Sequence, residues 1–177
     1  MMSNANFVST HEQLLALAAE LGAVLKARNY KLALAESCTG GMATQYITAI
    51  AGSSAWLDCS FITYSNAAKI EMLNVSVVTL EKFGAVSEQT ACEMAIGALA
   101  NSDATITASI TGIAGPDGGS TEKPVGMVCF AICTNFTNAL PHTLSKTQYF
   151  VGSREEIRMQ SVKFLFEQLL ISASTQV

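Results

Sequence analysis

The run Lys31-Leu32-Ala33-Leu34-Ala35-Glu36-Ser37-Cys38-Thr39-Gly40-Gly41 reads as a strand that turns directly into a helix. Lys31 to Ala35 is short and mostly apolar, the pattern of a strand buried on both faces. Glu36 to Gly41 breaks it with a hydroxyl-rich, glycine-ended turn, and a helix is expected from Gly41 to Ile50. Upstream, Leu14, Leu17, Ala18, Leu21 and Leu25 recur at three- and four-residue intervals and predict an amphipathic helix over His11 to Asn29. Downstream, Trp56 to Tyr64 is rich in aromatic and β-branched residues, a second strand, and Asn66 is placed to cap a short helix through Leu73. Ser87 is placed to cap a further helix with Ala91, Met94, Ala95 and Ala98 on one face. Thr105 to Ile110 forms a third strand. Val125 to Thr134 and Thr143 to Val151 form a hairpin around Pro141, and a last helix starts near Ser153 and buries Val162, Leu165, Phe166 and Leu169. Strands alternating with helices and closing on a hairpin predict a three-layer α/β/α sandwich with a mixed sheet.

Composition agrees with that reading. The chain has 177 residues, 50% of them hydrophobic and 14% charged. A chain of this size buries roughly 70% of its unfolded surface, so one core suffices without disulfides or metals. Neither linker nor repeat interrupts the sequence, and one domain is expected over residues 1–177, with its core between 12 and 170. The net charge of −4 is evenly spread: residues 1–88 and 89–177 each hold five Lys/Arg against seven Asp/Glu. A basic stripe is missing, which argues against nucleic acid as a partner. No run approaches the roughly 18–20 apolar residues of a membrane span, and the first residues do not resemble a signal peptide. The five cysteines include no Cys-x-x-Cys, and Cys129 and Cys133 lie in an apolar run, so free core thiols in a reducing, cytoplasmic setting are expected. His11 and His142 are isolated, and no metal site is indicated.

Two segments carry candidate chemistry, each a strand running into a turn with hydroxyls and glycines. Ligands of open α/β sheets bind beyond the carboxyl ends of the strands. In the first segment, Gly40 and Gly41 permit close backbone approach, and the following helix would offer unpaired N–H groups to an oxyanion or phosphate. The same residues also suit an ordinary Ser/Thr cap. The second segment, Thr111-Gly112-Ile113-Ala114-Gly115-Pro116-Asp117-Gly118-Gly119, is longer than a turn requires and suits a backbone cradle or a plain connection. It matches neither the Walker nor the dinucleotide fingerprint. Ser37 needs an activating base. Lys69 lies in a stretch of low charge five residues after Tyr64, and a desolvated ammonium with a nearby phenol is a known variant of serine activation. An exposed helix lysine would show the same spacing. Cys38 is a rival nucleophile, which a helix N-terminus would acidify.

Four ordered motifs, Ala35-Glu36-Ser37-Cys38-Thr39-Gly40-Gly41, Tyr64-Ser65-Asn66 with Lys69, Thr111-Gly112-Ile113-Ala114-Gly115-Pro116 and Lys123-Pro124-Val125-Gly126, resemble the CinA C-terminal domain family. The resemblance runs from Glu12 to Leu170 and is to the stand-alone nicotinamide-nucleotide amidohydrolase members. It implies hydrolysis of the carboxamide of nicotinamide mononucleotide to nicotinate mononucleotide and ammonia, with no metal or cofactor. Ser37 is then the nucleophile and Tyr64 and Lys69 its activating pair. Thr39, Gly40, Gly41, Thr111, Gly112, Gly115, Lys123 and Arg154 line the substrate. Phe150-Val151-Gly152-Ser153-Arg154 resembles the family's Gly-Asp-Arg stretch with Ser153 in the Asp position, and makes Arg154 the phosphate contact. The resemblance also points to a homodimer or higher homo-oligomer. A non-catalytic nucleotide-binding module and an amidase for another amide are the alternative readings.

Overall fold

A computed structural model describes the backbone of residues 4–136 and 140–175, and the side chains among them from residue 11 onward. Five strands form one sheet in the order β2-β1-β3-β4-β5. They are β1 (Leu32–Glu36), β2 (Leu57–Ile62), β3 (Ile106–Gly112), β4 (Met127–Thr134) and β5 (His142–Tyr149). β2, β1 and β3 run parallel, and β4 and β5 continue antiparallel to them, giving the expected mixed sheet. Among the described residues six α-helices join the sheet: α1 (Asn4–Ala27), α2 (Met42–Thr48), α3 (Asn66–Leu73), α4 (Val77–Phe83), α5 (Glu88–Ala100) and α6 (Arg154–Ser174).

The two-residue period of the strands sorts their side chains into two layers. Leu32 and Leu34 of β1 and Ile106, Ala108 and Ile110 of β3 face α1 and α6, where they meet Leu14, Leu21, Leu25, Val162, Leu165 and Phe166 in the larger core. Ala35 faces the other way, toward Leu73, Leu80 and Met94, and Cys129, Ala131 and Cys133 of β4 pack on Ala91 and Ala95 of α5. Cys129 and Cys133 are thus core thiols, and all five cysteines are free. The α5 face of β3 is polar by sequence yet fully buried. Its alternate hydroxyls each donate to a carbonyl opposite: Thr107 to Ala95 (2.7 Å), Ser109 to Ala91 (2.6 Å) and Thr111 to Ala85 (2.7 Å). A small residue also lets α5 come close to the end of α3. At Gly97 an added Cβ would stand 2.0 Å from the Leu73 carbonyl oxygen.

Three expectations are corrected. The short third helix is capped by Ser65, not Asn66; the Ser65 hydroxyl accepts from the Ala68 N–H. α4 was not anticipated, because Val77, Val78 and Thr79 are β-branched and disfavour a helix locally; the Glu93 carboxylate on α5 holds its first turn through the Ser76 N–H and the Thr79 hydroxyl. α1 begins at Asn4 rather than near His11. The hairpin connection at 137–139 lies outside the described residues. Among the described residues no helix is long and apolar enough to cross a membrane, and no group of three or more His, Cys, Asp or Glu is placed to hold a metal ion.

Candidate active site

The carboxyl ends of the three parallel strands share one edge of the sheet. Ser37 follows β1, Thr63 and Tyr64 follow β2, and Gly112 ends β3. A cavity of about 260 Å³ opens there, lined by Ser37, Cys38, Tyr64, Lys69, Ala85, Val86, residues 111–115, Asp117, Gly118 and Arg154. A cavity of about 280 Å³ at the opposite end of the sheet, between β4, β5 and α6, is mainly apolar and has His142 as its one titratable lining residue. It brings no nucleophile to a base.

Lys69 reaches the first cavity from α3 and is 1% exposed. Its Nζ lies 3.0 Å from Ser37 Oγ and donates to the Thr63 carbonyl at 2.8 Å. The sequence distance of 32 residues is bridged because β1 and β2 are neighbours and α3 starts directly after β2. Burial without a facing carboxylate pushes the Lys69 ammonium down from 10.5 to about 8. Once the amine is neutral its lone pair accepts from the Ser37 hydroxyl, while an N–H still serves Thr63. Cys38, also in the lining, behaves oppositely to the expectation of an acidified thiol. Burial pushes it up to about 12, outweighing the lowering by the Cys38 backbone N–H and, more weakly, by Lys69 and Arg158, while the Glu36 carboxylate adds to the rise. A thiol that stays protonated is a poor nucleophile, and of the two adjacent candidates it is Ser37 whose side chain contacts Lys69.

The turn that presents Ser37 is organised by Glu36, a residue whose role the sequence reading missed. Its carboxylate is fully buried and accepts from the N–H groups of Gly41 (3.0 Å), Ala43 (3.2 Å) and Thr44 (2.9 Å). The Thr44 hydroxyl lies 2.7 Å from both Glu36 Oε1 and Ser60 Oγ. A carboxylate only accepts, so Thr44 donates to Glu36 and receives from Ser60. Glu36 therefore does the work of an N-cap for α2, whose formal cap, Gly41, supplies no side chain. The Gly40 N–H goes to the Ser37 carbonyl at 3.0 Å and the Met42 N–H to the Thr39 carbonyl at 3.1 Å. The expectation that the start of α2 offers unpaired donors is thus corrected, and neither Gly40 nor Gly41 lines the cavity. Their φ values of 57° and 93° make the bend instead. Among the described residues the N–H groups of Cys38 and Thr39 donate to no backbone carbonyl. Glu36→Gln should lower stability by about 2–3 kcal/mol, because the amide NH2 would face backbone donors. Urea denaturation checks this, and an unchanged midpoint would contradict it.

The other expected site residues divide. Thr111, Gly112 and Gly115 line the cavity, though the Thr111 hydroxyl is committed to Ala85. Tyr64 lines it too but is 61% exposed, and its hydroxyl bonds Arg154 Nη2 at 2.9 Å rather than Ser37 or Lys69. Arg154 Nη1 donates to the Gly115 carbonyl at 2.8 Å, so one guanidinium ties the post-β2 loop to the glycine loop. Thr39 is fully buried beneath the turn, outside the lining, and its carbonyl accepts from Arg158 at 2.6 Å. Lys123 is also outside the lining, with its ammonium on the carbonyls of Phe83 and Val86.

Known proteins share this arrangement of sequence and fold. A nicotinamide-nucleotide amidohydrolase PncC of Enterobacter agglomerans is 51% identical over 154 residues, covering 87% of this chain and 92% of its own. The protein of the same name from Escherichia coli K12 is 47% identical over 160 residues, covering 90% and 94%. Among solved structures, competence damage-inducible protein A of Klebsiella pneumoniae superposes with a TM-score of 0.85 at 36% identity, over 94% of this chain and 99% of that one. Competence/damage inducible protein CihA of Agrobacterium tumefaciens gives 0.84 at 42% identity, over 92% and 96%. The family model described as the CinA C-terminal domain matches residues 14–172. With most of its length matched by that model and by relatives near half identity, the chain belongs to the CinA C-terminal domain family.

Proposed function

We propose that the chain hydrolyses the carboxamide of nicotinamide mononucleotide to nicotinate mononucleotide and ammonia, with Ser37 as nucleophile and Lys69 as its base. The observation that carries this reading is the 3.0 Å contact between Ser37 Oγ and a buried Lys69 Nζ on the wall of a cavity. The names of the amidohydrolase relatives support the reaction and substrate.

An amine titrating near 8 is about one-tenth neutral at pH 7, enough to act as a general base. Neutral Lys69 takes the Ser37 proton as Oγ attacks the amide carbon. The charge on the carbonyl oxygen is met by backbone N–H groups, for which those of Cys38 and Thr39 are available; one such donor is worth about 3 kcal/mol. Lys69 then returns the proton to the amide nitrogen, the C–N bond breaks and ammonia leaves. Water, deprotonated by Lys69, cleaves the acyl-serine and frees the carboxylate. Tyr64, held by Arg154, forms the solvent side of the cavity, where it can bound the substrate.

Arg154 uses one N–H of each of two nitrogens on Gly115 and Tyr64, leaving three of its five donors for a phosphate. Arg154→Ala should raise KM for the mononucleotide by about tenfold and disturb the unphosphorylated riboside less, the loss of a charge-assisted contact. An equal rise for both would remove Arg154 from the phosphate role.

Ammonia release from a panel of nicotinamide mononucleotide, its riboside and other pyridine amides tests the whole reading. Preferred turnover of the mononucleotide is expected. Binding without ammonia release would favour a nucleotide-binding module, and preference for another amide would reassign the substrate.

A further inference from the structure

The connection between α4 and α5 presents four consecutive carbonyls, and side chains hold all of them. Lys123 Nζ donates to Phe83 and to Val86, the latter at 2.8 Å. The hydroxyls of Ser87 and Thr90 donate to Gly84 at 3.1 and 2.7 Å, and Thr111 donates to Ala85 at 2.7 Å. The chain bends around the ammonium at Gly84, where φ is 76° and an added Cβ would lie 3.1 Å from Lys123 Nζ. Ser87, Thr90 and Thr111 belong to α5 and β3, the elements already packed beside this segment. Lys123 alone, among the described residues, bonds it to the loop between β3 and β4. Its stem is aimed by a reciprocal pair, the Ser120 N–H to the Lys123 carbonyl (2.8 Å) and the Lys123 N–H to Ser120 Oγ (3.0 Å).

Both partners of this contact supply cavity wall: Ala85 and Val86 on one side, and Ile113 to Gly115, from the loop that carries Lys123, on the other. Two of the three ammonium donors are occupied by carbonyls, and Lys123 does not reach the cavity. We propose that Lys123 is a positioning residue that fixes the spacing of these two walls, and thereby the seat of the pyridine carboxamide, rather than a contact for the substrate's phosphate. Ser37 and Lys69 sit on other elements, and among the described residues their side-chain hydrogen bonds run to each other and to the Thr63 carbonyl, not to Lys123 or residues 83–86. Its loss should therefore weaken substrate binding with little change in the chemical step.

The kinetic part of the test rests on the amidase reading above; the exchange part does not. Lys123→Met keeps the stem and removes the donors, and Lys123→Arg restores two of them. Lys123→Met should raise KM about tenfold for both the mononucleotide and the riboside with kcat within about threefold, and Lys123→Arg should recover most of the loss. Hydrogen–deuterium exchange of Lys123→Met should quicken in 83–87 and 112–119, with α1 unchanged. A KM rise confined to the phosphorylated substrate, a fall in kcat at constant KM, or unchanged exchange in both segments would overturn the proposal. If wild-type protein releases no ammonia from either substrate, the amidase reading fails, and the exchange result alone decides whether Lys123 couples the walls.

Discussion

Ser37→Ala should reduce ammonia release from nicotinamide mononucleotide by about 10⁴-fold or more, the scale seen when a serine nucleophile is removed and only binding and oxyanion donors remain. The loss should fall on kcat, with KM little changed, because Ser37 meets the substrate only through the reacting atom. The fold should be untouched, since among the described residues the Ser37 hydroxyl bonds only Lys69 and the turn is held by Glu36 and by backbone bonds. Cys38→Ala should retain most activity, since the neighbouring thiol is pushed to about 12 and stays protonated. Steady-state assays of both variants check this. The reverse outcome, Cys38→Ala inactive and Ser37→Ala active, would transfer the nucleophile to the thiol.

Lys69→Met has the second large effect and separates activity from stability. Activity should fall by about 10³-fold or more, because no other base within hydrogen-bonding reach of Ser37 is present among the described residues. Stability at pH 7 should rise. The ammonium is held at about 8 in the fold against an ordinary 10.5, so below pH 8 the folded protein carries a penalty of about 3 kcal/mol for keeping it charged. Between pH 8 and 10.5 the unfolded chain binds a proton that the folded chain does not, so wild-type stability climbs with pH across that window and the penalty disappears above it. A methionine of similar length fills the space without the charge. It forfeits the hydrogen bonds to Ser37 and Thr63, so the net gain near pH 7 should be about 1–2 kcal/mol and should vanish above pH 10. Denaturation of both proteins at pH 7 and 10 measures it. Lys69→Met less stable than wild type at pH 7 would mean that the amine is not under strain.

What the sequence made legible follows the range over which each signal acts. β1 could be read because a strand buried on both faces is a run of small and apolar residues, β3 because its β-branched and small residues alternate, and α6 because its buried positions recur with helical period. The Ser37 turn could be read because glycines after a strand restrict the backbone locally. The proximity of Lys69 to Ser37 has only low local charge as its mark in the sequence, since parallel neighbours are joined only by the sheet. Glu36 gave no signal of its own: a glutamate at a strand end usually meets water, and only three amide groups and a hydroxyl converging from α2 explain its burial. Lys123 and Thr111 have partners that the sequence does not show either. Each is a residue type suited to binding a substrate, and each is occupied by a carbonyl between Phe83 and Val86, a segment that carries no mark in sequence of needing donors.

The account rests on Lys69 being the group whose deprotonation turns on Ser37, and the pH dependence of kcat/KM for nicotinamide mononucleotide tests that most directly. The expected profile rises tenfold per pH unit below an apparent pKa near 8 and levels off above it. A rate independent of pH between 6 and 10 (roughly two units either side of that value) would contradict the account, because the amine would then change its charge without changing the reaction.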